Sequence, residues 1–228
     1  MRENTEPHDG DKQEHVVRRL EAFSDIVIGF SLAQTALNLF MPLHPTDFVT
    51  RPVGIVGFGI TFAVIASFWS AHSAIFRHFF VPNRVMISLN FIALALIVLQ
   101  VFALQMWLHF GQDRTDGIAA ARIYFGVFGI TQGLLATLSG LGARYRRLDL
   151  SPALLQAGIR RSVGLAFRAI GVLVGVASSS KIVGTFTILA GGERVIAVPN
   201  QIFLGLIAGV IVARLVNGFL SRRLPVTS

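Results

Sequence analysis

The sequence contains no cysteine. Disulfides, thiolate metal sites and cysteine nucleophiles are therefore excluded. Charge is scarce as well: 14% of the 228 residues are charged, against about 25% in a soluble domain. That deficit, with a mean hydropathy of +0.65, makes a bilayer the main solvent. Several signatures are missing too. There is no H-E-x-x-H stretch and no cluster of His and carboxylates of the kind a zinc site needs. There is no G-x-S-x-G hydrolase elbow and no T-V-G-Y-G-like ion filter. The stretch "GVASSSKIVGT" has Ser180 before Lys181, where a phosphate loop requires Gly, so that motif is rejected. Neither an enzyme, a resident metal nor a cofactor is expected.

What is present is lipid-soluble. Hydrophobic residues make up 53% of the chain, 19 of them Phe. A bilayer span needs about 20 predominantly apolar residues, and six segments qualify: 23–41, 53–76, 85–108, 118–141, 163–189 and 199–220. The fifth is long enough to tilt or to end in a loose turn. Connections are short and no internal duplication is visible. The class is all-α: one six-helix membrane unit over residues 18–223, between polar tails at 1–17 and 224–228. The opening "MRENTEPHDGDKQEH" lacks the basic start and immediate apolar core of a secretory signal. It reads as a disordered cytoplasmic tail before a retained span. The net charge of +8 belongs to basic loops, not to nucleic-acid binding. Arg18, Arg19, Arg77, Arg84, Arg144, Arg146, Arg147, Arg160, Arg161, Arg222 and Arg223 all fall on one side of a six-span chain. The positive-inside rule then puts both termini in the cytoplasm, with a bacterial inner membrane as the expected location.

Within the spans, three glycine pairs are four residues apart: Gly129 and Gly133, Gly171 and Gly175, Gly205 and Gly209. Such spacing lets helix backbones approach closely, and also arises by chance in glycine-rich spans. Ionisable groups inside a span cost roughly 2.5–3.5 kcal/mol each on insertion scales. Arg122 and Lys181 sit near span ends, where snorkelling accounts for them. Arg168 and Arg214 lie about two turns inside the flanking arginines, at the level of Asp25. Either a buried Asp25 pairs with Arg19, Arg168 or Arg214, or the two deeper arginines also snorkel.

The first span is polar along one stripe. At 100° per residue, Ser24, Ser31, Thr35 and Asn38 fall within about 60° of one another, with Gln34 beside them. A second stripe carries Ile26, Phe30, Ala33, Leu37 and Met41. Lipid does not tolerate the polar stripe. Two readings stand: a central helix bonded to its neighbours, or a helix lining a conduit. In the second span, "SFWSAHSAIFRHFF" puts Trp69, His72 and Phe76 on one face. A lone intramembrane His is usually a hydrogen-bonded packing residue.

"RLEAFSD" at 19–25 resembles the R-x-x-x-F-S-D signature of the transmembrane protein 175 family of endolysosomal and bacterial potassium channels. "FWSAHSAIF" from Phe68 resembles that family's second helix, and "LNFIAL" from Leu89 the Asn-bearing stretch of its third. Spans one to three carry the resemblance; the rest agrees in topology. The resemblance implies a leak-type potassium-permeable cation channel without a P-loop filter, assembled as a homotetramer in lipid. Its pore is lined by the first helix, with an apolar constriction. It further implies that Arg19, Phe23, Ser24, Asp25, Trp69, His72 and Asn90 brace that helix, while Phe30, Gln34 and Leu37 face the axis. The chain departs from the family at three places. Phe30 replaces the usual Ile, Ala33-Gln34-Thr35 replaces a T-L-L run, and Asn38 stands where bacterial members often carry an acid. These changes bear on conductance and selectivity, not on the fold. Two other readings remain: a non-conducting membrane scaffold, and a small secondary transporter. Against the transporter, no inverted repeat and no paired broken helices with acidic coupling sites are visible.

Overall fold

The computed structural model describes residues 9–37, 53–110, 114–179, 185–190 and 193–223. Among these are six helices: α1 (Asp9–Leu37), α2 (Val53–His78), α3 (Arg84–Phe110), α4 (Arg114–Tyr145), α5 (Pro152–Ser178) and α6 (Asn200–Arg223). Each is long and apolar enough to cross a membrane. Asn38, Met41, Lys181 and residues 224–228 lie outside the described residues.

Three features differ from the sequence reading. First, α1 begins at Asp9, so much of the expected disordered tail is helical. Its early turns carry an Arg18–Glu14 ion pair one turn apart, the spacing at which opposite charges support a helix. Second, the fifth helix runs over Pro152–Ser178 and not 163–189. Ser151 caps it, its Oγ accepting from the Leu154 amide at 3.3 Å, and Pro152 occupies a position where a missing N–H costs nothing. Arg160 and Arg161 are thus inside the helix. Third, residues 185–190 of the expected fifth span are strand and not helix. Strands β1 (Thr185–Ala190) and β2 (Glu193–Pro199) form an antiparallel pair. Thr185, Thr187, Ile188, Val195 and Ile196 are β-branched, which suits a pleated surface better than a helix. The register slips between Ile188 and Leu189, as at a bulge.

The helices pack largely in sequence order. α4 is the most enclosed of the spans and α1 and α6 are the least. The main core draws Ile28 from α1, Phe68 and Ile75 from α2, Met86 and Ile97 from α3, Leu135 and Leu138 from α4, and Leu165 from α5. A second cluster joins Trp107, Ala121 and Tyr124 to Val198 of β2 and Ile202 of α6, so the hairpin is seated on α3 and α4. At the opposite end, Phe79 and Phe80 fill the α2–α3 corner. Arg146 ties that corner to the α4–α5 turn, donating to the His78 carbonyl at 2.9 Å.

Two of the three glycine pairs make backbone contact between helices. A β-carbon at Gly171 would overlap the Gly205 carbonyl oxygen, and one at Gly205 the Gly171 carbonyl oxygen. Gly175 comes within 2.6 Å of Gln201 O by the same construction, and Gly209 within 2.6 Å of Phe167 O. α5 and α6 therefore touch backbone to backbone. Gly129 instead meets the Leu173 side chain, and Gly133 sits at an ordinary distance from Ala169. Arg122 does not simply snorkel: its Nε donates to Ser179 Oγ at 2.8 Å, pinning the end of α5 to α4.

Candidate functional site

The polar stripe of α1 faces the interior of its own chain. Ser24, Ser31 and Thr35 are buried. Each hydroxyl donates to the carbonyl four residues earlier: Ser24 to Leu20 O (2.8 Å), Ser31 to Val27 O (2.9 Å) and Thr35 to Ser31 O (2.9 Å). In a water-poor core this back-bonding is how a helix keeps hydroxyls satisfied without a partner helix.

Ser24 also joins a relay across three helices. Asn90 of α3 donates through Nδ2 to Ser24 Oγ at 3.4 Å, and its Oδ1 stands 2.7 Å from His72 Nε2 of α2. All three side chains are fully buried. Because Oδ1 is an acceptor, Nε2 carries the hydrogen, and His72 Nδ1 is buried with no partner. The imidazole stacks on Phe76 at 4.6 Å, and Phe76 on Phe80 at 4.0 Å. This aromatic column seats the imidazole where Asn90 can reach it.

Asp25 lies outside that relay. Trp69 Nε1 donates to Asp25 Oδ1 at 2.9 Å, and both residues are exposed on the single chain. The sequence leaves two readings, a buried ion pair of Asp25 with Arg19, Arg168 or Arg214, or snorkelling of the two deeper arginines. Asp25 has an indole for partner, and it is Glu14 that pairs with an arginine of this helix, Arg18. The reason is geometric: α1 packs on α2 and α3, whereas Arg168 and Arg214 stand on α5 and α6. Arg19 is exposed. Phe23 meets Phe91 of α3 edge-on at 5.9 Å. Of the seven candidate bracing residues, the structure thus joins Ser24, His72 and Asn90 in one group and Asp25 with Trp69 in another. Phe23 packs separately, and Arg19 is joined to none of them.

The other stripe of α1 faces outward. Ile26 is 70% exposed, Phe30 65% and Leu37 77%. Gln34 is half-buried beside them. Bulky side chains at this exposure, along one helix face, leave that face to lipid or to another chain. A second polar group was not foreseen. Gln100 of α3 is buried, its Nε2 donating to the Tyr124 carbonyl at 3.4 Å; a Gln in the middle of an apolar span was its one visible signal.

Residues 19–100 match the family model described as the endosomal/lysosomal potassium channel TMEM175. The resemblance read from the sequence is thereby borne out. Every bracing and axis candidate named above falls inside the matched region. A curated relative named "Potassium channel", from Marivirga tractuosa, is 27% identical over 114 residues. The match takes in 50% of this chain and 42% of the relative, so the chain spans less than half of that relative's length. No solved structure matches. With the six spans, this likeness indicates a multi-pass membrane protein.

Proposed function

We propose that this chain is one subunit of a homotetrameric, leak-type channel for potassium and related monovalent cations. Four copies of α1 surround the axis, and Phe30, Gln34 and Leu37 line it at successive turns. Phe30 and Leu37 form apolar rings, and such rings gate by expelling water. Gln34 between them offers carbonyl oxygens to a partly dehydrated cation. The bracing groups around Ser24, Asp25, Trp69, His72 and Asn90 hold α1 against α2 and α3 without touching ions. No P-loop filter takes part. Both termini are cytoplasmic in a bacterial inner membrane.

The observation that carries this reading is the orientation of α1. Its hydroxyls are turned into its own chain, while Ile26, Phe30 and Leu37 are left outside. This disfavours the alternative line through Ser31 and Thr35, whose side chains are covered within one subunit. The test uses the absence of native cysteine. Single cysteines at 30, 34 and 37 are expected to react with water-soluble thiol reagents and to block current in planar bilayers in potassium chloride. Those at 31 and 35 are expected to stay unreactive. Labelling of 31 and 35 with protection of 30, 34 and 37 reverses the assigned face. A tetramer that passes no ion flux makes the chain a scaffold, and saturable, gradient-coupled uptake makes it a transporter.

A further inference from the structure

Arg168 and Arg214 are left without an acidic partner, and they share one cavity. The cleft between α5 and α6 encloses about 280 Å³ and is lined by Gly164, Arg168, Val210, Ala213, Arg214 and Asn217. That is several times the ~30 Å³ that one water occupies in the liquid. Two guanidiniums with no carboxylate ion-paired to either, among the described residues, make an electropositive site at membrane depth. By the helical rise, Arg168 lies about 10 Å along α5 from Arg161, and Arg214 about 12 Å along α6 from Arg222.

The donors are available. Arg168 Nε is committed to the Gly164 carbonyl at 3.1 Å, which turns the guanidinium back along α5. The rest of its fork has no acceptor among the described residues. Gly164 lacks a side chain where Arg168 and Asn217 approach: a β-carbon there would stand 3.4 Å from Asn217 Nδ2 and 3.8 Å from an Arg168 Nη. Asn217 also carries a buried amide oxygen with no partner, an acceptor for a hydroxyl. The walls are apolar at Val210 and Ala213. One and two turns toward the bilayer centre from Arg214, on the same face of α6, Ile211 and Ile207 are exposed. Charge at one end of a cleft and an apolar track leading inward from it match a lipid's head and tail.

We propose that this cleft binds the phosphate group of an anionic, hydroxyl-bearing phospholipid of the phosphatidylglycerol kind. Arg168 and Arg214 clasp the phosphate, Asn217 accepts from the head-group hydroxyl, and the chains run along Ile211 and Ile207. Basic pockets between spans on the positively flanked side are where acidic head groups are recognised, and guanidinium forks suit phosphate oxygens. The inorganic ion shares the phosphate chemistry but gains nothing from the apolar track.

The test compares phosphatidylglycerol, phosphatidylcholine and inorganic phosphate, each added to the purified full-length protein in detergent. Phosphatidylglycerol is expected to raise the melting temperature by several degrees, and the other two to leave it unchanged. Native mass spectrometry is expected to show bound phosphatidylglycerol falling roughly thirtyfold in the Arg168→Gln/Arg214→Gln protein, from the loss of two basic contacts near lipid. Arg144→Gln/Arg147→Gln, at exposed positions outside the cleft, is expected to retain the lipid. If the cleft variant binds as much lipid as the parent, the cleft is not the site. If inorganic phosphate stabilises equally, the ligand is a soluble phosphate and the lipid assignment fails. Should the glutamine variant not fold, a photoreactive phosphatidylglycerol on the unaltered protein decides. Crosslinks within 164–168 and 207–217 support the proposal, and crosslinks confined to other segments overturn it.

Discussion

Asn90 is the residue on which α1, α2 and α3 converge. Replacing it with Leu removes the acceptor of the His72 Nε2 hydrogen and the donor to Ser24. A buried polar group left unsatisfied costs about 1–3 kcal/mol, so Asn90→Leu is expected to lower the melting temperature in detergent clearly. His72→Phe/Asn90→Leu should lose less than the sum of the single changes, because pairs in direct contact couple by roughly 0.5–3 kcal/mol. Additive losses in that cycle would mean the 2.7 Å contact contributes little. Asp25 behaves differently. Its partner is a neutral indole and its surroundings are open on the single chain. Trp69→Phe is therefore expected to cost no more than about 1.5–3 kcal/mol, the net value of a hydrogen bond to a charged group. Asp25→Ala should fall well short of the ~3–5 kcal/mol lost when a buried ion pair is broken. Melting curves of the two variants measured together check both statements.

At the scale of elements, the α5–α6 seam makes the sharpest prediction. Gly205→Leu drives a side chain into the Gly171 carbonyl, and backbone cannot move aside as a rotamer can. That variant is expected to express poorly and to lose its cooperative melt. Gly126→Ala, on α4 with open space around the added carbon, should be neutral or stabilising by up to about 1 kcal/mol, the helix-propensity difference. The seam also marks what the sequence made legible. Four-residue glycine spacing flagged three sites, and two became backbone contacts; nothing local separates those from Gly129, which meets a leucine side chain. Spans one to four and six were readable from apolar length, because a span must be continuous to satisfy its own backbone. The fifth was misplaced by eleven residues at each end (163 against 152, 189 against 178). Two features misled: paired arginines read as a loop, and a β-branched apolar run read as more helix. Gly191-Gly192, a hairpin-turn dipeptide, was the overlooked signal. The relay at Ser24, His72 and Asn90 was reachable only through the family resemblance, since residues 24, 72 and 90 carry no joint periodicity. The partner of Asp25 was missed because charge suggested arginine, whereas proximity decided for Trp69.

For the whole molecule, the outward face of α1 is open to lipid or to another chain. In the proposed tetramer, the particle mass, after subtracting detergent, is expected to be four times the 24.8 kDa chain. A single-chain mass in detergent and in native lipid discs would sink the channel reading. In that assembly Phe30→Ala should raise unitary conductance and weaken discrimination among potassium, rubidium and caesium. Leu37→Ala should do so less, because leucine makes the wider ring. Recordings of the two variants side by side test the order. The glycine seam carries one more consequence, for motion. Where backbones touch there are no rotamers to exchange, so α5 and α6 have no alternative set of contacts between which to switch. They travel as one stiff panel, stapled to α4 by Arg122 and Ser179. Relative motion is then expected at joints built from side chains, among them those of α1 with α2 and α3. Spin labels placed on α5 and α6 should report one narrow distance under every ionic condition. Labels on α1 and α3 should report two.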